Sequence, residues 1–120
     1  PLDTLEPVTD LEEVIRIQDS VKQIHVDEDI ERYIVALLEG TRTETRLSLG
    51  ASPRAGIMLY RLAQARAYMN RRTEVYPDDV QAMAPHTLAH RLILETKAKY
   101  SGVTKQTVVL DLLKKIKVPT

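Results

Sequence analysis

Between Asp27 and Gly40 the apolar residues Ile30, Tyr33, Ile34, Leu37 and Leu38 recur at i, i+3, i+4, i+7 and i+8. That spacing lays a single stripe along a helix of 3.6 residues per turn, and Asp27 stands where a capping residue belongs. Gly40 falls in or near the last turn. A segment of this kind must bury its stripe against other elements, and the chain can supply them: Leu, Ile and Val make up 34 of its 120 residues. This lies above the roughly 20% level below which chains stay disordered. At this length one domain with one core is expected.

Other segments carry the same period. Asp10 followed by Glu13 matches a capping box, and Leu11, Val14, Ile15, Ile17, Val21 and Ile24 follow with helical spacing, so a helix is expected over about residues 11–23. Residues 43–51 lose the period and read as a loop with a short extended piece around Leu47 and Leu49. Ser52 then suits an N-cap and Pro53 the first helical position. The helix they open runs to about Asn70, with Ala55, Met58, Leu59, Leu62, Ala65 and Met69 on one face. Tyr76 and Pro77 open a fourth helix whose Asp78 and Asp79 suit its positive end, with Val80, Met83 and Ala84 facing inward. Pro85 is expected to end or kink it. A short turn over Thr87–His90, an extended Leu92–Leu94 and a polar loop over Glu95–Gly102 follow. Thr104 then caps a last helix bearing Val108, Val109, Leu112, Leu113 and Ile116, with Lys114, Lys115 and Lys117 near its negative end. The expectation is an all-α bundle of about five helices, with at most short extended segments. Residues 1–9, with Pro1 and Pro7, lack the period and read as a linker into a helical domain over 10–120.

The formal charge is zero, but it is segregated. Residues 1–31 hold ten acids against two bases, whereas residues 32–72 hold eight arginines against two acids. Opposite charges in one small domain present different faces to different partners. The exclusive use of Arg in the middle third favours forked recognition of phosphate or carboxylate. No run approaches the roughly 18 apolar residues of a membrane span, and cysteine is absent. Disulfides, thiol nucleophiles and thiolate metal sites are thereby excluded, and a cytoplasmic protein without membrane insertion is expected.

No glycine precedes a lysine, so the G-x-x-x-x-G-K-[ST] phosphate loop is missing, as are G-x-G-x-x-G and G-x-S-x-G. The chain alone has no catalytic engine. His86 and His90 stand at i and i+4 but lack the Glu of H-E-x-x-H, and read as structural residues rather than metal ligands. Arg54 is different. It lies two residues past a helix cap, where positive partial charge disfavours a cation by about 0.3–1 kcal/mol. Either it is a solvated arginine that tolerates this cost, or a bound phosphate or fixed carboxylate compensates it. Arg61 and Arg72 lie within about 20° of Arg54 around the helix axis, a stripe that is either a solvent face or a basic edge. Arg66 falls inside the apolar sector, where it snorkels or meets an acid from the first third of the chain.

The phrases Gly50-Ala51-Ser52-Pro53-Arg54-Ala55, Val75-Tyr76-Pro77-Asp78-Asp79-Val80 and Leu88-Ala89-His90-Arg91-Leu92 resemble the C-terminal helical lid of MoxR-type AAA+ ATPases. Pro1–Pro7 is similar to the linker that leaves that family's ATPase core. The resemblance implies that Arg54 is the sensor-two arginine, reaching toward the γ-phosphate of ATP, with Ser52 and Pro53 beside it at the nucleotide. It implies that ATP and Mg²⁺ are held mainly by an ATPase core outside these residues, and that the lid adds a cation and an apolar wall near the base. Hydrolysis would then rotate lid against core and remodel or mature a client complex. Rings, commonly hexamers, are implied, and a von Willebrand-type protein is a possible partner. The competing readings are a nucleic-acid module using Arg54, Arg61, Arg66, Arg71 and Arg72 on phosphates, and a plain protein-interaction bundle. Zero net charge and aromatics without a stacking cluster argue against nucleic acid. Two positions depart from the family's habit: Tyr76 where Thr usually caps, and Arg71 where Gly usually ends the sensor helix. An arginine there would cost about 1 kcal/mol in a left-handed conformation, so a differently built terminus is expected.

Overall fold

The computed structural model describes residues 7–120, with side chains from Asp10 onward. Its helices are α1 (Pro7–Lys22), α2 (Glu28–Thr43), α3 (Pro53–Met69), α4 (Pro77–Leu88), α5 (Thr96–Tyr100) and α6 (Lys105–Lys115). A two-stranded antiparallel ribbon of β1 (Leu47–Leu49) and β2 (Ile93–Leu94) pairs Leu47 with Leu94 and Leu49 with Ile93. The all-α expectation holds.

The core is the intersection of four helical stripes. Ile30, Tyr33, Ile34, Leu37 and Leu38 of α2 meet Ala55, Leu59, Ala63 and Ala67 of α3, Val80, Ala84 and Leu88 of α4, and Val108, Val109 and Leu112 of α6. The stripe of α2 is the one its sequence announces. That of α3 is rotated from expectation, since Met58 and Met69 are exposed while Gly56 and Gln64 are buried. Alanines at four-residue spacing let neighbouring helices approach closely, and the larger methionines are left outside. At Gly56 a Cβ would lie 2.5 Å from the Leu38 side chain, which is why a residue that weakens helices stands here.

Helix boundaries bring further corrections. The first helix starts at Pro7, pre-organised for a first turn, so Asp10 lies inside that turn rather than capping it. Its apolar residues Leu11, Val14, Ile15 and Ile17 remain exposed. The fourth helix continues past Pro85 to Leu88, where Thr87 donates its hydroxyl to the Met83 carbonyl at 2.7 Å and Leu88 packs into the core. Within the expected loop over 95–102 the short helix α5 forms, its first turn closed by a bond from the Lys99 N–H to the Glu95 carbonyl at 3.0 Å. Thr104 caps α6 as expected, accepting from the Thr107 N–H at 3.1 Å. Of the linker expected over residues 1–9, residues 1–6 lie outside the described residues, and residues 7–9 form the start of α1 instead.

The end of α3 also differs from expectation, because Arg71 does adopt a left-handed φ of 58°. The Arg72 N–H reaches the Ala67 carbonyl at 3.0 Å and the Arg71 N–H reaches that of Tyr68 at 2.9 Å, the paired bonds of a Schellman terminus. The turn geometry usual for glycine is thus kept by an arginine.

Candidate functional site

The start of α3 is fixed before the helix begins. Gly50 runs so close to the end of α2 that a Cβ would stand 2.8 Å from backbone atoms of Thr41 and Arg42. The next residue, buried Ala51, is held at both backbone groups: its N–H donates to the Thr41 hydroxyl at 2.8 Å, and its carbonyl accepts from Arg42 Nε at 3.2 Å. Thr41, itself fully buried, donates in turn to the Leu38 carbonyl at 2.6 Å. Ser52 then takes the extended conformation of an N-cap, but its hydroxyl does not cap. The backbone does that work, the Ser52 carbonyl accepting from the Ala55 N–H at 3.0 Å. Pro53 occupies the first position without leaving a donor orphaned.

Arg54 follows as the second helical residue. It is exposed and makes no hydrogen bond or ion pair among the described residues. Its neighbour Ala55 is fully buried, so the backbone beneath the guanidinium is rigid while the guanidinium itself is free. The residues read as one site from the sequence, Ser52, Pro53 and Arg54, are contiguous on this surface.

Beside it runs an open groove of about 860 Å³ between the α1–α2 turn, α2 and α3, lined among others by Ile24, Val35, Pro53, Ile57, Tyr60 and Arg61. Its volume falls in the range of small-molecule sites. Gln64 fixes its wall: the buried side chain donates to the Ile24 carbonyl at 2.8 Å and accepts from Arg61 at 2.9 Å. Arg61 also lies over the Tyr60 ring at 5.6 Å. Neither Gly56 nor Gln64 belongs to the site read from sequence. Glycine inside a helical pattern was the available signal for a close approach, but nothing local distinguishes Gln64 from a surface glutamine.

The expected arginine stripe divides. Arg72 binds Asp79 through both nitrogens, at 2.6 and 2.7 Å, and stacks on the Tyr76 ring at 4.3 Å. Arg66 meets the same carboxylate at 2.6 Å, so its acid comes from α4 and not from the first third of the chain. Asp79 also accepts from the Tyr76 N–H at 2.8 Å, closing the start of α4. Burial raises the pKa of Asp79, but the hydrogen bonds from Arg72, the Tyr76 N–H and Arg66 outweigh it and hold the carboxyl below its ordinary value. In the same way a hydrogen bond from Arg46 lowers Glu44, and Arg46 reaches on to Asp111 at 2.8 Å, anchoring α6. Among the described residues no three His, Cys, Asp or Glu side chains gather as a metal site, and no helix is long and apolar enough to cross a membrane.

Residues 39–112 match the AAA lid domain model, more than half of the chain. The chain belongs to the AAA lid domain family. It is 40% identical over 119 residues to the uncharacterised protein YeaC of Bacillus subtilis (strain 168), covering 99% of this chain and 37% of that protein. It is 31% identical over 102 residues to Protein MoxR of Methylorubrum extorquens, with 73% of this chain and 30% of that protein covered. Chaperone MoxR1 of Mycobacterium tuberculosis matches at 27% over 116 residues, 89% of this chain and 31% of its own. The crystal structure of a presumed ATPase from Cytophaga hutchinsonii superposes with a TM-score of 0.80 at 30% identity, over 85% of this chain and 34% of that one. The resemblance to the lid of MoxR-type ATPases is therefore borne out. The chain spans about a third of the length of the curated relatives it matches.

Proposed function

We propose that this lid lends Arg54 to the terminal phosphate of ATP bound on an ATPase core, and that the groove beside it forms one wall of the nucleotide site. The observation that carries the reading is the contrast within one short segment: a backbone held from Gly50 to Ala55, and on it an exposed guanidinium with no acid partner among the described residues. The N–H groups of a helix start and a guanidinium fork converge on an anion, and a cation there is otherwise mildly unfavourable. The groove offers Ile57 and Tyr60 as apolar surface for a nucleoside base, with Pro53 joining it to the helix start. Mg²⁺, when bound, would neutralise phosphate charge. With no carboxylate cluster gathered among the described residues, its ligands belong to the core.

In this division of labour Arg54 stabilises charge developing on the transferring phosphoryl group and loses its partner when that group leaves. Release of the lid then alters its orientation on the core, the step that would drive remodelling or maturation of a client complex. A ring, most simply a hexamer, in the cytoplasm, with a von Willebrand-type protein among its partners, completes the proposal. The nucleic-acid reading is weakened because Arg66 and Arg72 are committed to Asp79.

The test is ATP turnover by the intact ATPase carrying Arg54→Ala. A fall of at least about tenfold is expected for loss of one preorganised charge donor, and unchanged turnover would overturn the proposal. These 120 residues alone should bind ATP negligibly, because the phosphate cradle lies elsewhere. Micromolar affinity measured by calorimetry on the isolated lid would contradict that division.

A further inference from the structure

Arg91 belongs to a motif that the role of Arg54 leaves unexplained. It ends the 3₁₀ turn Ala89–Arg91 after α4, with Leu88, Ala89 and Leu92 buried around it. The turn is thus locked into the core while the arginine side chain is exposed. Its Nη2 sits 2.9 Å from the Met58 sulfur, and no carboxylate pairs with it among the described residues. A thioether is a weak acceptor, so the exposed guanidinium keeps most of its donors available to water or a ligand. Met58 lies one turn beyond Arg54 on the same side of α3, and helical side chains lean toward the helix start. Contact with Met58 therefore draws the Arg91 guanidinium to the turn that bears Arg54. Different elements thus bring to neighbouring turns of one surface two exposed guanidinium groups that have no carboxylate partner among the described residues, an arrangement that suits an anion able to engage both.

We infer that Arg91 is a second arginine for the terminal phosphoryl group, converging with Arg54 so that the lid distinguishes a nucleoside triphosphate from the diphosphate. This rests on the reading of Arg54 above. A terminal phosphoryl group presents three acceptor oxygens, enough for two forked donors, and its departure releases both at once. Met58 is the spacer that sets the second fork.

The test measures affinities of the intact ATPase for ADP and for a non-hydrolysable ATP analogue, with Arg91→Ala, Arg91→Lys and Arg54→Ala in parallel. Arg91→Ala should weaken the analogue about tenfold, the worth of one charge-assisted hydrogen bond, and leave ADP within about twofold, below the effect of such a bond. Arg91→Lys should restore part of the loss, since charge returns without the fork. If Arg54→Ala lowers the preference for the analogue and Arg91→Ala does not, the inference fails and the role of Arg54 stands. If neither substitution changes the preference, both fail. Equal weakening of both nucleotides by Arg91→Ala, or a lower melting temperature of that variant with the preference intact, would make Arg91 a structural residue and overturn the inference.

Discussion

Helical spacing counts Arg54, at the start of α3, and Arg72, just past its end, onto one stripe, and the arginines at the two ends finish in opposite states. At the C-terminal end Arg66 and Arg72 close on the fully buried Asp79, which also caps α4. At the N-terminal end Arg54 stands exposed on a backbone that is just as firmly held, but by Gly50, Thr41 and Ala51 rather than by its own side chain. Phase around a helix therefore says little about what an arginine does. A guanidinium whose hydrogen bonds are satisfied inside the domain contributes to folding, whereas one left free on a rigid base is available to a partner.

Breaking the closed end should have the largest effect on stability. Asp79→Ala removes the acceptor of two arginines and of the Tyr76 N–H, and about 3 kcal/mol of stability should be lost, at the low end for a buried pair because both arginines reach water. Urea denaturation of the isolated domain measures it, and a loss below about 1 kcal/mol, the worth of a surface pair, would remove the distinction between the ends. Protons should act on the same contact. Asp79 and Glu44 both titrate lower in the folded chain than in the unfolded one. Their contribution is complete above the unfolded carboxylate range near about 4 and is lost as pH falls through their lower native values. The urea midpoint should hold steady from neutral pH down to about 5 and drop below about 4, less steeply in Asp79→Asn.

The held backbone at the other end is probed by Gly50→Ala. Here the obstacle is main chain, which cannot swing aside, and a cost of about 2 kcal/mol is expected. Since the same shift displaces Arg54, ATP turnover of the intact enzyme should fall with it. A variant that melts normally would show the close approach to be dispensable. Arg71→Gly should act in the opposite direction and more weakly, raising stability by about 0.5–1 kcal/mol by relieving the left-handed arginine. The smallest effect on stability belongs to Arg54→Ala, within about 0.5 kcal/mol of the unsubstituted chain, although its effect on turnover should be large. A clear loss of stability in that variant would mean that Arg54 has a structural partner, and the contrast between the ends would vanish.

Much of this was legible in the residues. The stripe of α2, the Ser52–Pro53 start of α3 and the Thr104 cap of α6 are local signals, because a helix and its ends are decided by neighbours within about four residues. The buried face of α3 was legible only in part: Ala55 and Leu59 are buried as expected and Met58 and Met69 are not, because Met58 and Ala63 differ in hydrophobicity less than in size, and the approach of α2 and α4 selects for size. The short helix α5 was missed because a polar five-residue turn carries no periodic pattern.

What the sequence determined by itself is the helical class, the order of the elements and the placement of an arginine at a helix start, all set by spacing and short-range backbone chemistry. Which arginine stays free was decided only in three dimensions. Asp79 satisfies Arg66 and Arg72 because the Schellman turn folds α4 back onto α3, and that pairing depends on which helices touch, a property of the packed core that no window of sequence contains.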